Sequence, residues 1–170
     1  MPVAPALDLP EPYFVIDFAE LRTHGSGPKL TIRAEMIASS VLVEASITNL
    51  TRRPILVPPI SEHMFDFDFW EQTSRGKLHA LKAYERRFAV LERRLEKEDL
   101  IPLGPGLTLS IKVAIPNVPF ASSSKPIYVQ GYISRWASID GKDIEFSLVS
   151  AKVRLIVSRK VGTKKRGLAR

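Results

Sequence analysis

The sequence predicts an all-β fold, a sandwich of about eight antiparallel strands. In residues 107–115, apolar side chains occupy every second position, between Gly104-Pro105-Gly106 and Pro116. Residues 41–48 repeat this pattern and end in a turn that begins at Asn49. Period-two alternation bounded by Gly, Pro and Asn is typical of a strand with one buried face. Such sandwiches serve as binding modules more often than as enzymes.

Further strands are expected on both sides of these two runs. The stretch 13–21 places Phe14, Ile16 and Phe18 on one face. Residues 30–36 alternate in the same way. A short strand at 55–57 is enclosed by prolines, which favours the edge of a sheet because proline donates no ladder hydrogen bond.

The aromatic stretch 63–70 is predicted to be a strand whose phenylalanines share one face. Its aspartates then point to the opposite face, and Arg75-Gly76-Lys77 supplies a hairpin turn after it. By the same alternation His63 falls on the phenylalanine face. The residues in question are Phe65, Phe67 and Phe69 on one side and Asp66 and Asp68 on the other.

Residues 78–99 allow two interpretations. Apolar side chains recur at spacings of three and four with charged residues between them, which favours an amphipathic helical insert. The alternative is a strand at 87–91 followed by a loop at 96–103. The apolar positions are Leu81, Tyr84, Phe88, Leu91 and Leu95.

The last strands before the C-terminal end of the chain are predicted to form a hairpin. Residues 127–139 form a strand, Asp140-Gly141 is a two-residue hairpin turn, and the return strand begins at Lys142. Along the return strand the apolar phase shifts at Val149. This shift predicts a bulge, or a strand that passes from one sheet to the other.

The chain divides into an extended N-terminal segment (1–11), a β-sandwich domain (12–158) and a basic C-terminal tail (159–170). The formal net charge is +7. Of 25 basic residues, six lie in the tail, which leaves 19 in the remainder against 18 acidic residues. The candidate contacts for an anion or a nucleic acid are therefore the tail cations, Arg159, Lys160, Lys164, Lys165, Arg166 and Arg170.

The composition bounds the compartment and the chemistry. There is no cysteine, which excludes disulfides, thiolate metal sites and cysteine catalysis and favours a reducing compartment. The first residues lack the basic and apolar regions of a signal peptide, and no apolar run is long enough to span a membrane. We expect a cytoplasmic protein, with a nuclear location as the alternative because of the Lys-Lys-Arg cluster in the tail.

No catalytic, metal or cofactor site is predicted. His63 with Asp66 and Asp68 is the best metal candidate, but strand parity separates the histidine from the aspartates, so solvated aspartates are favoured. Ser122 and Lys125 have the spacing of an acyl-transfer pair, which requires a helix that the following Pro126 disfavours. Asn49-Leu50-Thr51 matches a glycosylation sequon and is interpreted as a turn.

Three segments resemble a known plan in chain order. They are VLVEASITNLTRRPILV (41–57), EDLIPLGPGLTLSIKVAIP (98–116) and PIYVQGYIS (126–134). The series resembles immunoglobulin-like β-sandwich domains, in particular the intracellular proteinase inhibitor family and the non-catalytic modules of deuterolysin-type proteases. The resemblance covers about residues 30–135. The insert at 78–99 and Ser-Lys-Pro-Ile at 124–127 depart from the pattern, and no inhibitory loop can be matched.

Three functions follow as hypotheses. The first is a non-enzymatic protein-binding or assembly module, with a protein partner or self-association. The second is attachment to nucleic acid or to an anionic surface through the basic tail. The third, implied by the resemblance alone, is a protease inhibitor or regulator.

Overall fold

The computed structural model describes residues 27–81 and 94–158. These residues form twelve strands and two 3₁₀ turns, Glu62–Met64 and Lys97–Asp99, and contain no α-helix. The predicted all-β class is thus confirmed. The strands are β1 Pro28–Ile37, β2 Ser40–Asn49, β3 Ile55–Val57, β4 Phe65–Gln72, β5 Leu78–Ala80, β6 Leu95–Glu96, β7 Ile101–Leu103, β8 Thr108–Ile115, β9 Ile127–Ile139, β10 Lys142–Val149, β11 Val153–Arg154 and β12 Ile156–Val157.

The smaller of the two main sheets has the order β12-β1-β2-β8. β1 and β2 form a hairpin, and its turn holds Ala38 at a φ of 56°. Every residue of β8 pairs with a residue of β2, and the two strands are antiparallel. On the outer face, hydroxyls of Ser46 and Ser110 are 2.7 Å apart, so this face offers polar groups to the surroundings.

The larger sheet is built around β9, the longest strand. β10 and β4 lie on its two sides, and β5 extends the sheet beyond β4. β11 and β6 also pair with β9, beyond the ends of β10 and β4. The β9–β10 hairpin turns at Asp140 and Gly141, with φ angles of 50° and 77°. The predicted two-residue turn is confirmed, and its positive φ angles explain the Asp-Gly pair.

The chain passes from the larger sheet to the smaller one after β10. Ser150 interrupts the ladder, β11 pairs with β9, and β12 then pairs with β1 in the other sheet. Leu155, between the two short strands, is buried. Val149 pairs with Tyr132 and Val153 with Val129, so the register along β9 shifts by one residue between β10 and β11. The change of apolar phase at Val149 therefore marks a bulge, which is one of the two interpretations of the sequence, and the change of sheet follows it, between β11 and β12.

The inner faces of the two sheets contribute to one hydrophobic core. Phe65, Phe67 and Phe69 are all buried on one face, as predicted. At Gly131 in β9, a Cβ atom would lie 3.2 Å from Ile32 Cγ2 of the smaller sheet and 3.2 Å from Phe67 Cε1. The backbone of β9 therefore lies directly against side chains from the opposite sheet.

The short strand predicted at 55–57 is present. β3 pairs with β7, and the two form a separate two-stranded sheet within the described residues. All three β3 side chains are buried. The proline-bounded strand thus lies at an edge while contributing to the core, in line with the missing donors of Pro54 and Pro58.

Two local predictions were wrong. His63 lies in the 3₁₀ turn that precedes β4, and β4 begins at Phe65, directly after the buried Met64. A helix over all of 78–99 is excluded because Leu78–Ala80 pairs with β4 and Leu95–Glu96 pairs with β9. The middle of that insert (82–93), the N-terminal segment with the strand at 13–21, and the basic tail lie outside the described residues.

Across 27–81 and 94–158, no helix has the length and apolar character needed to cross a membrane.

Candidate functional site

The outer face of the larger sheet carries four aromatic side chains. Tyr128, Tyr132 and Trp136 recur at every fourth residue of β9, with alternate residues of the strand buried on the inner face. At about 3.4 Å per residue, successive rings are roughly 14 Å apart along the strand. Trp70 of β4 is the direct neighbour of Tyr128 across the ladder. We call Trp70, Tyr128, Tyr132 and Trp136 the aromatic face.

The rings differ in exposure. Trp136 is 46% exposed, whereas Trp70, Tyr128 and Tyr132 are half-buried. Half-buried rings are held by their neighbours and lose little conformational freedom when a ligand binds. The aromatic face therefore combines three fixed rings with one accessible tryptophan.

A hydrogen-bonded group fixes Tyr132. Its hydroxyl donates to Asp68 Oδ2 and lies 3.4 Å from Gln130 Oε1. Gln130 Nε2 in turn donates to the carbonyl oxygen of Ser150, 2.8 Å away. Burial raises the pKa of Tyr132 above its ordinary value, and the hydrogen bond to Asp68 and its charge raise it further. The phenol therefore stays a proton donor at neutral pH.

Charged side chains border the rings. Lys152 Nζ lies 4.3 Å from the centroid of the Trp70 ring, a cation–π contact. Arg94 Nη1 donates to Asp143 Oδ1 at 2.8 Å, and both side chains are about half exposed. Glu145 is the ladder neighbour of Trp136. Mixed charges around apolar rings form a polar rim around an apolar centre, which is how protein interfaces are built.

The structure does not bring together the residues that the sequence offers as metal ligands. His63 Nε2 lies 3.8 Å from Glu62 Oε1, Asp66 is exposed, and Asp68 accepts the hydrogen bond from Tyr132. In the described parts of the chain, no three His, Asp or Glu side chains are grouped so that they could hold a metal ion. The carboxylate of Asp68 therefore accepts a hydrogen bond from Tyr132 and is not grouped with His63.

The Ser122–Lys125 pair lies in a loop of turns. Lys125 Nζ is 3.1 Å from Glu71 Oε1, and Ser123 Oγ donates to Glu71 Oε2 at 3.1 Å. The hydrogen bond from Lys125 is the main reason that the pKa of Glu71 is lowered. Lys125 therefore stabilises the contact between this loop and the end of β4.

Sequence reasoning did not identify the aromatic face. Its members on β9 share the even positions of one strand, so their common side was visible from parity. The register that sets Trp70 beside Tyr128 joins residues 58 positions apart, and no local pattern contains it. The six tail cations proposed for anion contact begin immediately after Ser158, outside the described residues.

Comparison of the chain with protein-family models finds no match, and comparison with curated proteins finds none either. The immunoglobulin-like resemblance and the similarity to proteinase inhibitors therefore stay predictions, and the function has to be argued from the surfaces described above.

Proposed function

We propose that this chain is a non-enzymatic protein-binding or assembly module on an immunoglobulin-like β-sandwich, with the aromatic face as its contact surface. The observation that carries the proposal is the exposed Trp136 in line with Tyr132 and Tyr128 on the outer side of β9. Tryptophan and tyrosine are the residues most enriched among those that dominate binding energy at protein interfaces.

The local charges support a protein partner. The outer face carries both carboxylates and cations, among them Asp66, Glu145, Lys152 and Arg154. A phosphate-bearing ligand would favour a surface of one sign, because each phosphate is neutralised by a basic side chain. A mixed surface with aromatic anchors fits the polar and apolar groups of another protein.

The sandwich part of the proposal is supported by the shared core. Two largely antiparallel sheets contribute apolar side chains to one core, and Gly131 of one approaches Ile32 of the other. The chain also changes sheet between β11 and β12, as strands in sandwiches do. The immunoglobulin-like connectivity stays part of the proposal.

The experiment compares two variants in affinity capture followed by quantitative binding. Trp136→Ala removes the exposed ring, and Leu107→Ala is the matched control, since Leu107 is 60% exposed before β8 of the other sheet. The captured partner is either another protein or a second copy of this chain. In both cases we expect Trp136→Ala to raise the Kd of the complex by roughly thirtyfold. Leu107→Ala should leave it unchanged.

An equal Kd for Trp136→Ala and the unsubstituted chain would reject the aromatic face as the contact surface. Protease regulation is supported by the resemblance alone. It requires inhibition of a serine protease or a metalloprotease by the full chain, and a panel without any inhibition would remove it.

A further inference from the structure

We propose that the aromatic face docks onto the aromatic face of a second copy of this chain, with a twofold axis that passes through the contact at Tyr132. The β9 strands of the two copies then run in opposite directions, so that Trp136 of each copy lies over Tyr128 of the other. The inference rests on the protein-binding function proposed above, because it uses the same face, and it names the partner.

Tyr132 is the midpoint of the aromatic residues on β9. Tyr128 lies four residues before it and Trp136 four residues after it, so each is about 14 Å from Tyr132 along the strand. A twofold axis that lies in the plane between two such faces, at right angles to β9, reverses the strand direction and leaves Tyr132 in place. Each Trp136 is thereby set over a Tyr128, and the two Tyr132 side chains meet at the axis.

The charged neighbours of the two outer rings have opposite signs. Glu145 of β10 pairs with Trp136, and Arg154 of β11 pairs with Tyr128. Directly opposed residues of neighbouring strands point to the same face, so both charges belong to the outer side of the larger sheet. One end of the aromatic face is therefore bordered by an anion and the other end by a cation.

The anion and the cation lie on the same side of β9. β4 occupies one side of β9 from Ile127 to Ile133, so β10 and β11 both pair along the other side. The twofold operation exchanges the ends of β9 but keeps this side over the same side of the other copy. Glu145 of each copy therefore faces Arg154 of the other.

Two ion pairs then close the interface, one at each end. Stacked sheets lie about 10 Å apart, a gap that an extended glutamate and an extended arginine span together. Across 27–81 and 94–158, neither Glu145 nor Arg154 forms an ion pair with another described residue. Charge complementarity between two copies of one face thus argues for self-docking.

Tyr132 has one apolar and one charged neighbour near the axis. Val149 pairs with Tyr132 from β10 and is 48% exposed, and the axis sets it over the same residue of the other copy, where both leave water. Asp66 pairs with Tyr132 from β4 and is exposed. The two Asp66 carboxylates approach each other across the axis, and their repulsion opposes the docking.

The face has the symmetry and the size of a weak homodimer interface. Opposite charges placed at equal distances from a central ring are self-complementary under a twofold operation, and twofold dimers are the commonest homo-oligomers. β4, the 13-residue β9 and the β10–β11 side form a face of roughly 15 by 40 Å. Two copies would bury about 1,200 Å² together, at the lower end of specific interfaces, so we expect a Kd on the order of micromolar.

The test is sedimentation equilibrium of the full chain from about 1 μM to about 300 μM, a range that brackets the expected Kd. We expect a monomer–dimer equilibrium. Glu145→Arg and Arg154→Glu should each raise the Kd by roughly tenfold or more, because like charges then face each other at both ends. The double variant restores opposite charges, so its Kd should return to within about threefold of that of the unsubstituted chain.

Lys29→Glu is the matched control for net charge. It changes the charge by the same amount as Arg154→Glu, but Lys29 is exposed on β1 of the smaller sheet, so this variant should dimerise like the unsubstituted chain. Thermal unfolding verifies that each variant is folded. If a charge reversal prevents folding, Glu145→Gln and Arg154→Gln replace it, and each should raise the Kd by about threefold.

Asp66→Asn tests the position of the axis. Because it removes the repulsion between the two Asp66 carboxylates, it should lower the Kd by about threefold, opposite in sign to the effects at Glu145 and Arg154. A higher Kd in Asp66→Asn would place the axis away from Tyr132 and contradict the arrangement.

Three further results would overturn the proposal. A chain that stays monomeric at every concentration would reject self-docking and leave the Trp136 capture experiment to another protein. A dimer with the same Kd in both charge variants, or a double variant as weak as the single ones, would show that Glu145 and Arg154 do not meet. A dimer unaffected by Trp136→Ala would reject the aromatic face itself, and with it the function proposed above.

Discussion

The side chain of Asn49 connects two parts of the chain that lie 54 residues apart. Its Nδ2 donates to the carbonyl oxygen of Leu103 at 2.9 Å and to that of Arg53 at 2.8 Å. Its Oδ1 accepts from Thr51 N at 2.9 Å and from Thr51 Oγ1 at 2.6 Å. Asn49 is fully buried, and these four hydrogen bonds satisfy its amide. The end of β2 is thereby tied to the end of β7.

Asn49→Ala should be strongly destabilising. The substitution removes the donor to the buried carbonyl oxygen of Leu103 and the acceptor for the backbone N–H of Thr51, and we expect the free energy of unfolding to fall by about 3 kcal/mol. Urea unfolding curves of the two proteins measure the difference. Thr51→Val is the comparison, because it removes a half-buried hydroxyl that donates to Asn49 Oδ1 but leaves the bond from Asn49 to Leu103 in place, and it should lower the stability by about 1 kcal/mol. Equal losses in both variants would contradict a central role for the Asn49 amide.

The turn at Asn49 illustrates what local sequence can and cannot show. The pattern Asn49-Leu50-Thr51 predicts a turn, because an asparagine side chain bonds to the backbone two residues ahead, and the bond from Thr51 N confirms it. The partner Leu103 follows from tertiary packing, and nothing near Asn49 in the sequence indicates it. A glycosylation enzyme would also need this amide to leave the core, since the folded chain buries it completely.

Ser150→Ala should destabilise the bulge between β10 and β11. Ser150 Oγ accepts from the backbone N–H of Gly131 at 2.9 Å and donates to the carbonyl oxygen of Ala151 at 2.8 Å. Without the hydroxyl, the buried N–H of Gly131 loses its hydrogen-bond partner, and we expect the free energy of unfolding to fall by about 2 kcal/mol. Thermal unfolding measures this loss.

The control for the bulge is Ser134→Ala. Ser134 lies on the same strand as Gly131 but is exposed, so its substitution should change the stability by less than about 0.5 kcal/mol. If Ser150→Ala had an equally small effect, the hydroxyl would not be fixing the point where the chain leaves β10.

The bulge after β10 and the aromatic face can be predicted from the sequence to different degrees. The shift from Leu148 to Val149 in the apolar phase predicted a bulge or a change of sheet from one strand alone. The aromatic face needs the pairing of Trp70 with Tyr128, and pairing depends on how β4 and β9 align in three dimensions. Period-two alternation continues through His63 and predicts a strand there, whereas the 3₁₀ turn that contains it has no period-two pattern.

Gly131→Ala should weaken the packing of the two sheets. The added methyl group would lie 3.2 Å from Ile32 Cγ2 and from Phe67 Cε1, which is closer than ordinary contact. We expect this overpacking to lower the free energy of unfolding by about 1–3 kcal/mol, as measured by urea unfolding.

A double-mutant cycle identifies the cause of this loss. Ile32→Ala alone creates a cavity and should also destabilise. In the double variant the new methyl group occupies part of that cavity, so the combined loss should be smaller than the two single losses added together. Additive losses would mean that Ile32 does not oppose Gly131 across the core.

Alkaline pH should destabilise the protein through Tyr132. Burial, the hydrogen bond to Asp68 and the Asp68 charge raise the pKa of Tyr132 above its ordinary value of 10.0. The unfolded chain therefore ionises this phenol first. The stability that the protonated phenol contributes is complete below about pH 10 and is lost as the pH rises further. Urea unfolding at neutral pH and at about pH 10.5 should show this decline.

Two variants separate the causes of the raised pKa. Tyr132→Phe loses the hydrogen bond to Asp68, so it should be less stable at neutral pH but decline less above pH 10. In Asp68→Asn the pKa of Tyr132 should move back towards 10.0 without reaching it, because burial is the largest cause. Ultraviolet absorbance titration, compared with Tyr132→Phe, follows this phenol directly. Ionisation of Tyr132 at its ordinary pH in the unsubstituted protein would show that the Asp68 contact does not hold the proton.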